Sequence, residues 1–342
     1  MDYPSGEVLL EKLPLLLAGP ILQRTEATAV TVWVALKRAS TVQLKILETQ
    51  GSGEQLGHCV FQGQRKTIAV GRNLHIVAVS AKAIESDVAA VDKCEPNCSE
   101  LHCGQIYAYD LIFVCDDEPQ QEARTYSLDA ALDHPTQANN SVSYFAHGKP
   151  TFALPPKKLS DLKIVHGSCR KPHGKGHDAL PILDSLAEVD ACNPYCRPHQ
   201  LFMTGDQIYG DDVANPLLWL ATSLGDTLLG WEERLPIAMP LTEAVVETLP
   251  QGHQSLSVHR GETVVLAKQL PVGKRARFAT QQAGFTAGLT NKSDRTSSHL
   301  FSFAEYCAIY LLTYSPTCWP GSLPEGRDAT AGRKTIHCWD KD

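Results

Sequence analysis

Between residues 15 and 115 the chain alternates apolar and polar positions over short runs. In 28–36, Val30, Val32 and Val34 share one face, with Thr31 and Trp33 on the other. The runs 42–47, 67–70, 74–79 and 107–114 repeat the theme, with glycine and polar residues between them. Period-two patterning at such intervals predicts an antiparallel β-sandwich. Residues 116–160 are polar and proline-containing and read as linker and surface loop. After residue 160 the pattern changes to strands alternating with helices. Strand 162–165 precedes a helix opened by Asp178, and strand 201–203 precedes a helix opened by Asn215-Pro216 and running to Leu229. Ser297 or Ser298 is placed to cap a last helix through Leu312. This alternation predicts a layered α/β domain. The expected division is a sandwich over 1–125, a linker over 126–160 and an α/β domain over 161–342.

Composition adds little that is unusual. Hydrophobic residues make up 43% and charged residues 20% of 342 positions, as in ordinary globular proteins. The net charge of −7 offers no basic stripe for nucleic acid. No apolar run reaches the roughly 18–20 residues that cross a bilayer. Leu13 to Ala18 is too short and proline-broken for a signal peptide, so a cytoplasmic protein is expected. Oligomeric state is not set by these features. There are eleven cysteines. Cys94, Cys98 and Cys103 form a loose cluster and Cys192 and Cys196 a CxxxC pair. Structural zinc prefers tight CxxC knuckles, so free loop thiols are the favoured reading over a zinc module.

The chemistry concentrates at two expected strand ends. One carries His166-Gly-Ser-Cys-Arg170, the other Gly205-Asp-Gln-Ile-Tyr209 followed by Asp211 and Asp212. In α/β domains loops at the carboxyl ends of strands carry the sites. Gly167 and Gly205 suggest sharp turns that present Cys169 and Asp206. A thiolate, a carboxylate able to bridge two cations and a phenolate suit a strongly Lewis-acidic ion such as ferric iron. Ligand chemistry alone leaves zinc, copper(I) or an iron–sulfur site open. Asp211 and Asp212 suit a calcium-like oxygen site, and Arg170 can fork to phosphate oxygens. Taken singly each residue has a plainer use: Asp206 an Asx turn, Cys169 and Tyr209 core positions, Asp211 and Asp212 solvated carboxylates. His173, His177 and His199 flank the site loops as weaker candidates. Residues 167–175 fail the Walker pattern at Pro172, residues 51–57 miss GxGxxG, and neither GxSxG nor HExxH occurs.

Taken together, His166–Arg170, the Phe202–Val213 block, and Ser302-Phe-Ala-Glu-Tyr306 with Tyr310-Leu-Leu312 resemble the PhoD-like metallophosphatases. Leu16-Leu-Ala-Gly-Pro20 and Val30-Thr-Val-Trp-Val34 are similar to the immunoglobulin- or fibronectin III-like sandwich that opens that family. The resemblance covers most of the chain. It implies a partial metallophosphatase core of the two-sheet αββα type, and an Fe3+ and Ca2+ site hydrolysing phosphate esters. In the family pattern the thiol, the Gly-Asp carboxylate and the tyrosine ligate metal, which here are Cys169, Asp206 and Tyr209. The family continues into an Asp-Asp-His-Asp block and further Asn or His ligands, and no such block occurs by Asp342. The chain is therefore expected to be the front portion of a longer protein, with low activity by itself. The competing expectation is a non-catalytic scaffold on a degenerate phosphatase core. An insert over 236–295 suits either reading, as a lid or as a partner surface using Lys274, Arg275 and Arg277.

Overall fold

The computed structural model describes residues 10–83, 99–115, 123–133, 141–170, 178–211, 213–231, 233–236, 258–259, 262–266, 270, 275 and 298–319. Its largest part is a nine-stranded sheet, antiparallel at every pairing. The strands are β1 (Leu16–Glu26), β2 (Ala29–Leu36), β3 (Ser40–Gln50), β4 (Gln55–Lys66), β5 (Ile68–Gly71), β6 (Leu74–Ala83), β7 (Ile106–Cys115), β8 (Arg124–Ser127) and β9 (Thr151–Ala153). The order β1-β2-β6-β4-β3-β7-β8 curls so that its inner face closes on one core. Val30, Val32 and Val34 of β2, Val42, Leu44 and Ile46 of β3, and Leu111 and Phe113 of β7 are fully buried there. The alternation read from the sequence is thus the inward face of the curl. Each such side chain contributes roughly 1.5–3 kcal/mol by leaving water.

The span expected to be linker holds parts of this sheet. β8 and β9 both pair with β7, and helix α1 (Leu128–Leu132) buries Leu128, Ala131 and Leu132 in the same core. A polar four-residue strand such as Arg124–Ser127 carries almost no periodicity, so only its pairing reveals it.

A second core lies on the outer face. Helices α3 (Asn215–Leu229) and α4 (Phe303–Tyr314) pack together and against Leu17, Ala18, Trp33, Ala35, Val70 and Ile76 of the sheet. Helix α2 (Leu180–Val189) has no buried residue. The crossing of α3 and α4 is close: a Cβ on Gly225 would stand 2.4 Å from the Ala304 carbonyl oxygen. The β5–β6 turn closes the carboxyl end of α3. Arg72 N–H donates to Leu229 O (2.8 Å), Asn73 N–H to Leu228 O (2.9 Å) and the Asn73 amide to Thr227 O (2.8 Å). Helix ends leave four carbonyls without intrahelical partners, and here the sheet supplies three of the donors.

The cap of α4 is Ser302, not Ser297 or Ser298. Its hydroxyl accepts from Glu305 N–H and the Glu305 carboxylate reaches back to the Ser302 N–H, a reciprocal capping box. Three positions of spacing decide this, since only Ser302 has a glutamate at N3. Glu305 also meets Arg275, whose guanidinium binds both its oxygens at 2.7 and 2.8 Å with both side chains buried. Arg275 is therefore part of the interior, not of a partner surface. Lys274 and Arg277 lie outside the described residues.

Two smaller sheets lie among the described residues. β10 (Ile164–Gly167) and β11 (Gln200–Met203) pair in parallel, in register Ile164 with Gln200 through Gly167 with Met203. β12 (Arg234–Pro236), β13 (Val258–His259) and β14 (Glu262–Leu266) form an antiparallel trio. Buried Arg197 ties the parallel pair to the large sheet, donating to the Thr151 carbonyl (2.8 Å) and hydroxyl (3.1 Å). Among the described residues no helix is long and apolar enough to cross a membrane.

Candidate metal centre

Parallel register puts the carboxyl ends of β10 and β11 side by side, so the loops after them leave the sheet together. Two backbone bonds join these loops: Thr204 N–H donates to Gly167 O (3.1 Å) and Cys169 N–H to Gly205 O (3.0 Å). His166 of β10 and Thr204, just past the end of β11, are bonded Nε2 to Oγ1 at 2.7 Å.

The turns are not made by the glycines. Gly167 and Gly205 have ordinary φ, while Cys169 (φ 59°) and Asp206 (φ 44°) adopt the left-handed conformation themselves. Such a conformation is uncommon for a residue with a side chain, and for cysteine, which lacks the local hydrogen bonding of Asp or Asn, it stores strain of order 1 kcal/mol. The side chains so presented converge. Cys169 Sγ lies 3.4 Å from Asp206 Oδ2, and Tyr209 Oη lies 3.4 Å from the same oxygen. Cys169 and Tyr209 thus meet on one carboxylate oxygen, and the influence of the thiol reaches the phenol. Ser168 Oγ stands 3.3 Å from the thiol.

An ion held by one thiolate at about 2.3 Å and oxygens at about 2.1 Å sets its donors roughly 3.0–3.6 Å apart. The two 3.4 Å spacings fall within that range, so the donor set fits a cation. The environment of Tyr209 is consistent with crowded negative charge. Its hydroxyl is pushed up to about 12, by loss of solvation first and then by the hydrogen bonds and charges of Cys169 and Asp206. A cation among them would oppose that shift. Among the described residues no three His, Cys, Asp or Glu side chains gather to hold an ion. The trio takes its third donor from a phenol.

The other candidates are dispersed. Asp211 sits where its charge acts on Tyr306 and His299, raising the former and opposing the burial that lowers the latter. Asp212, His173, His177, Cys94 and Cys98 lie outside the described residues. Cys103 Sγ donates to Pro155 O at 3.2 Å. His199 accepts from Lys163 N–H at Nδ1 (3.1 Å), so Nε2 bears the proton and donates to Pro194 O (3.0 Å). Both ring nitrogens are committed to the backbone, a structural use.

Arg170 was expected to offer a fork to phosphate. In the fold its Nε and Nη2 both donate to Asp178 Oδ2, at 3.0 and 2.7 Å. Nη1 donates to the Thr313 carbonyl, and the guanidinium lies over the Tyr314 ring, 5.6 Å from its centre. Asp178 was expected as an N-cap. The cap position is instead Ala179, whose side chain makes no capping bond; from one residue earlier Asp178 Oδ1 accepts the Leu180 N–H (3.1 Å), and its other oxygen holds Arg170. Burial pushes the Asp178 carboxyl up, but the Arg170 bonds and charge and the Leu180 N–H outweigh it, leaving it below the usual carboxylate range. Capping preference identified Asp178; nothing local in the sequence pairs it with Arg170.

Comparison with protein-family models and with curated proteins gave no match for this chain.

Proposed function

We propose that this protein is a metal-dependent phosphoric ester hydrolase, a phosphomonoesterase or phosphodiesterase resembling the PhoD-like metallophosphatases. In this reading the curled sheet is an immunoglobulin- or fibronectin III-like sandwich, and the β10–β11 pair with its helices belongs to a two-sheet αββα core. One observation carries the reading: Cys169, Asp206 and Tyr209 meet at adjacent carboxyl strand ends, each presented by a loop the sequence singled out. A soft thiolate and a phenolate beside a carboxylate favour ferric iron. A calcium ion is assigned to the carboxylates of Asp211 and Asp212, on the chain just beyond Tyr209. Such a metal pair, when bound, supplies an activated water and a clamp for phosphate oxygens. Cys169, Asp206 and Tyr209 hold the ligand positions, and the left-handed turns aim them together before any ion arrives. Such preorganisation lowers the cost of assembling the site on binding.

The test is iron analysis and visible absorption on the full chain, with hydrolysis of p-nitrophenyl phosphate as a second readout. Stoichiometric iron with a phenolate-to-iron colour is expected, the colour disappearing in Tyr209→Phe and iron content falling in Cys169→Ala. Absence of bound iron, or a colour indifferent to Tyr209→Phe, overturns the reading. The commitment of Arg170 to Asp178 favours a second reading, a non-catalytic scaffold on a phosphatase-like core. Ester hydrolysis that is lost in Tyr209→Phe would exclude it.

A further inference from the structure

The residue that follows Cys169 is Arg170, and its side chain reaches two separate elements, the entrance of α2 and the carboxyl end of α4. Two of its nitrogens bind Asp178 at the entrance of α2, a third donates to Thr313 at the carboxyl end of α4, and its plane lies over Tyr314. Its side chain is only 9% exposed, so these contacts are little competed by water. The Thr313 bond also answers a helix-end need. Ser315 N–H and Trp319 Nε1 donate to Leu311 O and Leu312 O, and Arg170 provides the same for the next carbonyl, with a cation at the negative end of the helix.

Among the described residues Cys169 has no comparable anchor. It is exposed, it holds a left-handed backbone, and its own bonds run to Asp206, Ser168 and Gly205 within the site. A strained turn persists only where its surroundings fix it. On one side the fixing comes from the strand β10; on the other it comes from the residue that follows.

We propose that Arg170 is a positioning residue: latched to Asp178 and to the end of α4, it holds the strained turn that keeps the Cys169 sulfur against Asp206 and Tyr209. The latch is a geometric device of the metal-free chain. Its consequence for metal affinity rests on the function proposed above, and the two can fail separately.

The experiment compares wild type with Asp178→Asn, Asp178→Glu and Arg170→Lys. Asp178→Asn leaves the guanidinium free to keep the Thr313 carbonyl, so loss of the helix end is not confounded with loss of the latch. Arg170→Lys keeps the charge and removes the fork. In the metal-free chain, the rate at which iodoacetamide alkylates Cys169 is followed by peptide mass spectrometry. Several-fold faster alkylation is expected in Asp178→Asn and Arg170→Lys, as the sulfur leaves its partners, with Asp178→Glu restoring the wild-type rate. Alkylation of Cys103, remote in sequence, serves as the control and is expected to be unchanged. With Co2+ added alone, the thiolate-to-cobalt band and the binding constant are read. Groups that orient a ligand typically change metal affinity by about 10–100-fold when removed, and a loss of about that size with a shifted band is expected in the same two variants. Wild-type alkylation rates in both variants overturn the latch whatever the metal result. Faster alkylation together with no Co2+ binding by the wild type upholds the latch and removes the metal reading instead.

Discussion

Replacing Glu305 by alanine strips the partner from an arginine that has left water. The side chains of Arg275 and Glu305 are 2% and 1% exposed and meet at two bonds of 2.7 and 2.8 Å. The carboxylate also accepts from Phe301 N–H (2.8 Å), Ser302 N–H (3.4 Å) and the Thr222 hydroxyl (2.8 Å). It therefore joins α3, α4 and Arg275, and its removal leaves a buried cation and the capping N–H groups with a cavity. Breaking a buried pair from one side costs about 3–5 kcal/mol, since the surviving charge is uncompensated. Summing the lost bonds separately would exceed this, because neighbours relax and water enters. At a urea slope of about 2–3 kcal/mol/M the midpoint should fall by roughly 1–2 M. The double variant Glu305→Ala, Arg275→Met should recover at least about 1 kcal/mol of the loss, as the stranded charge is gone. The pH dependence has a fixed sign. Burial pushes the Glu305 carboxyl up, but Arg275 and the N–H donors outweigh it and hold it below the ordinary range. Its contribution is thus complete above the unfolded carboxylate pKa and disappears as pH falls through the folded one. Wild type should therefore lose more stability than Glu305→Ala on acidification below about pH 4. A cost below about 1 kcal/mol for Glu305→Ala, or a double variant as damaged as the two singles added, would refute this account of the pair.

Two further outcomes follow from the backbone. Gly225→Ala gains about 1 kcal/mol of helix propensity, yet its methyl would stand 2.4 Å from the Ala304 carbonyl, so a net loss of about 1–3 kcal/mol by thermal or urea melting is expected; a stabilised variant would mean that α3 and α4 part without cost. Cys169→Gly should raise stability by about 1 kcal/mol by relieving the left-handed backbone while abolishing iron or cobalt binding; a destabilised variant would place the strain elsewhere.

Much of the fold is written in local pattern. Val30, Val32 and Val34, and likewise Val42, Leu44 and Ile46, alternate because one face of each strand is interior, and that requirement acts on the sequence directly. Pro216 opens α3 in its first turn as proline chemistry favours, while the cap position falls on Ala214, not on Asn215, and no side chain caps it. What escaped local pattern depends on partners distant along the chain. Arg124–Ser127 and Thr151–Ala153 are strands only because β7 offers them an edge. Arg275 looks like surface charge until Glu305, thirty residues on, is folded against it.

The candidate centre divides the same way. The sequence by itself determined which chemistry is on offer, a thiol, a carboxylate and a phenol at the ends of two apolar runs, because residue type and strand-end position are local properties. Tertiary structure alone decided that these groups touch, that the cysteine and the aspartate rather than the glycines make the turns, and that Arg170 faces Asp178. Each of those depends on the parallel register of β10 with β11 and on where the end of α4 comes to rest, distances through space that no stretch of neighbouring residues encodes.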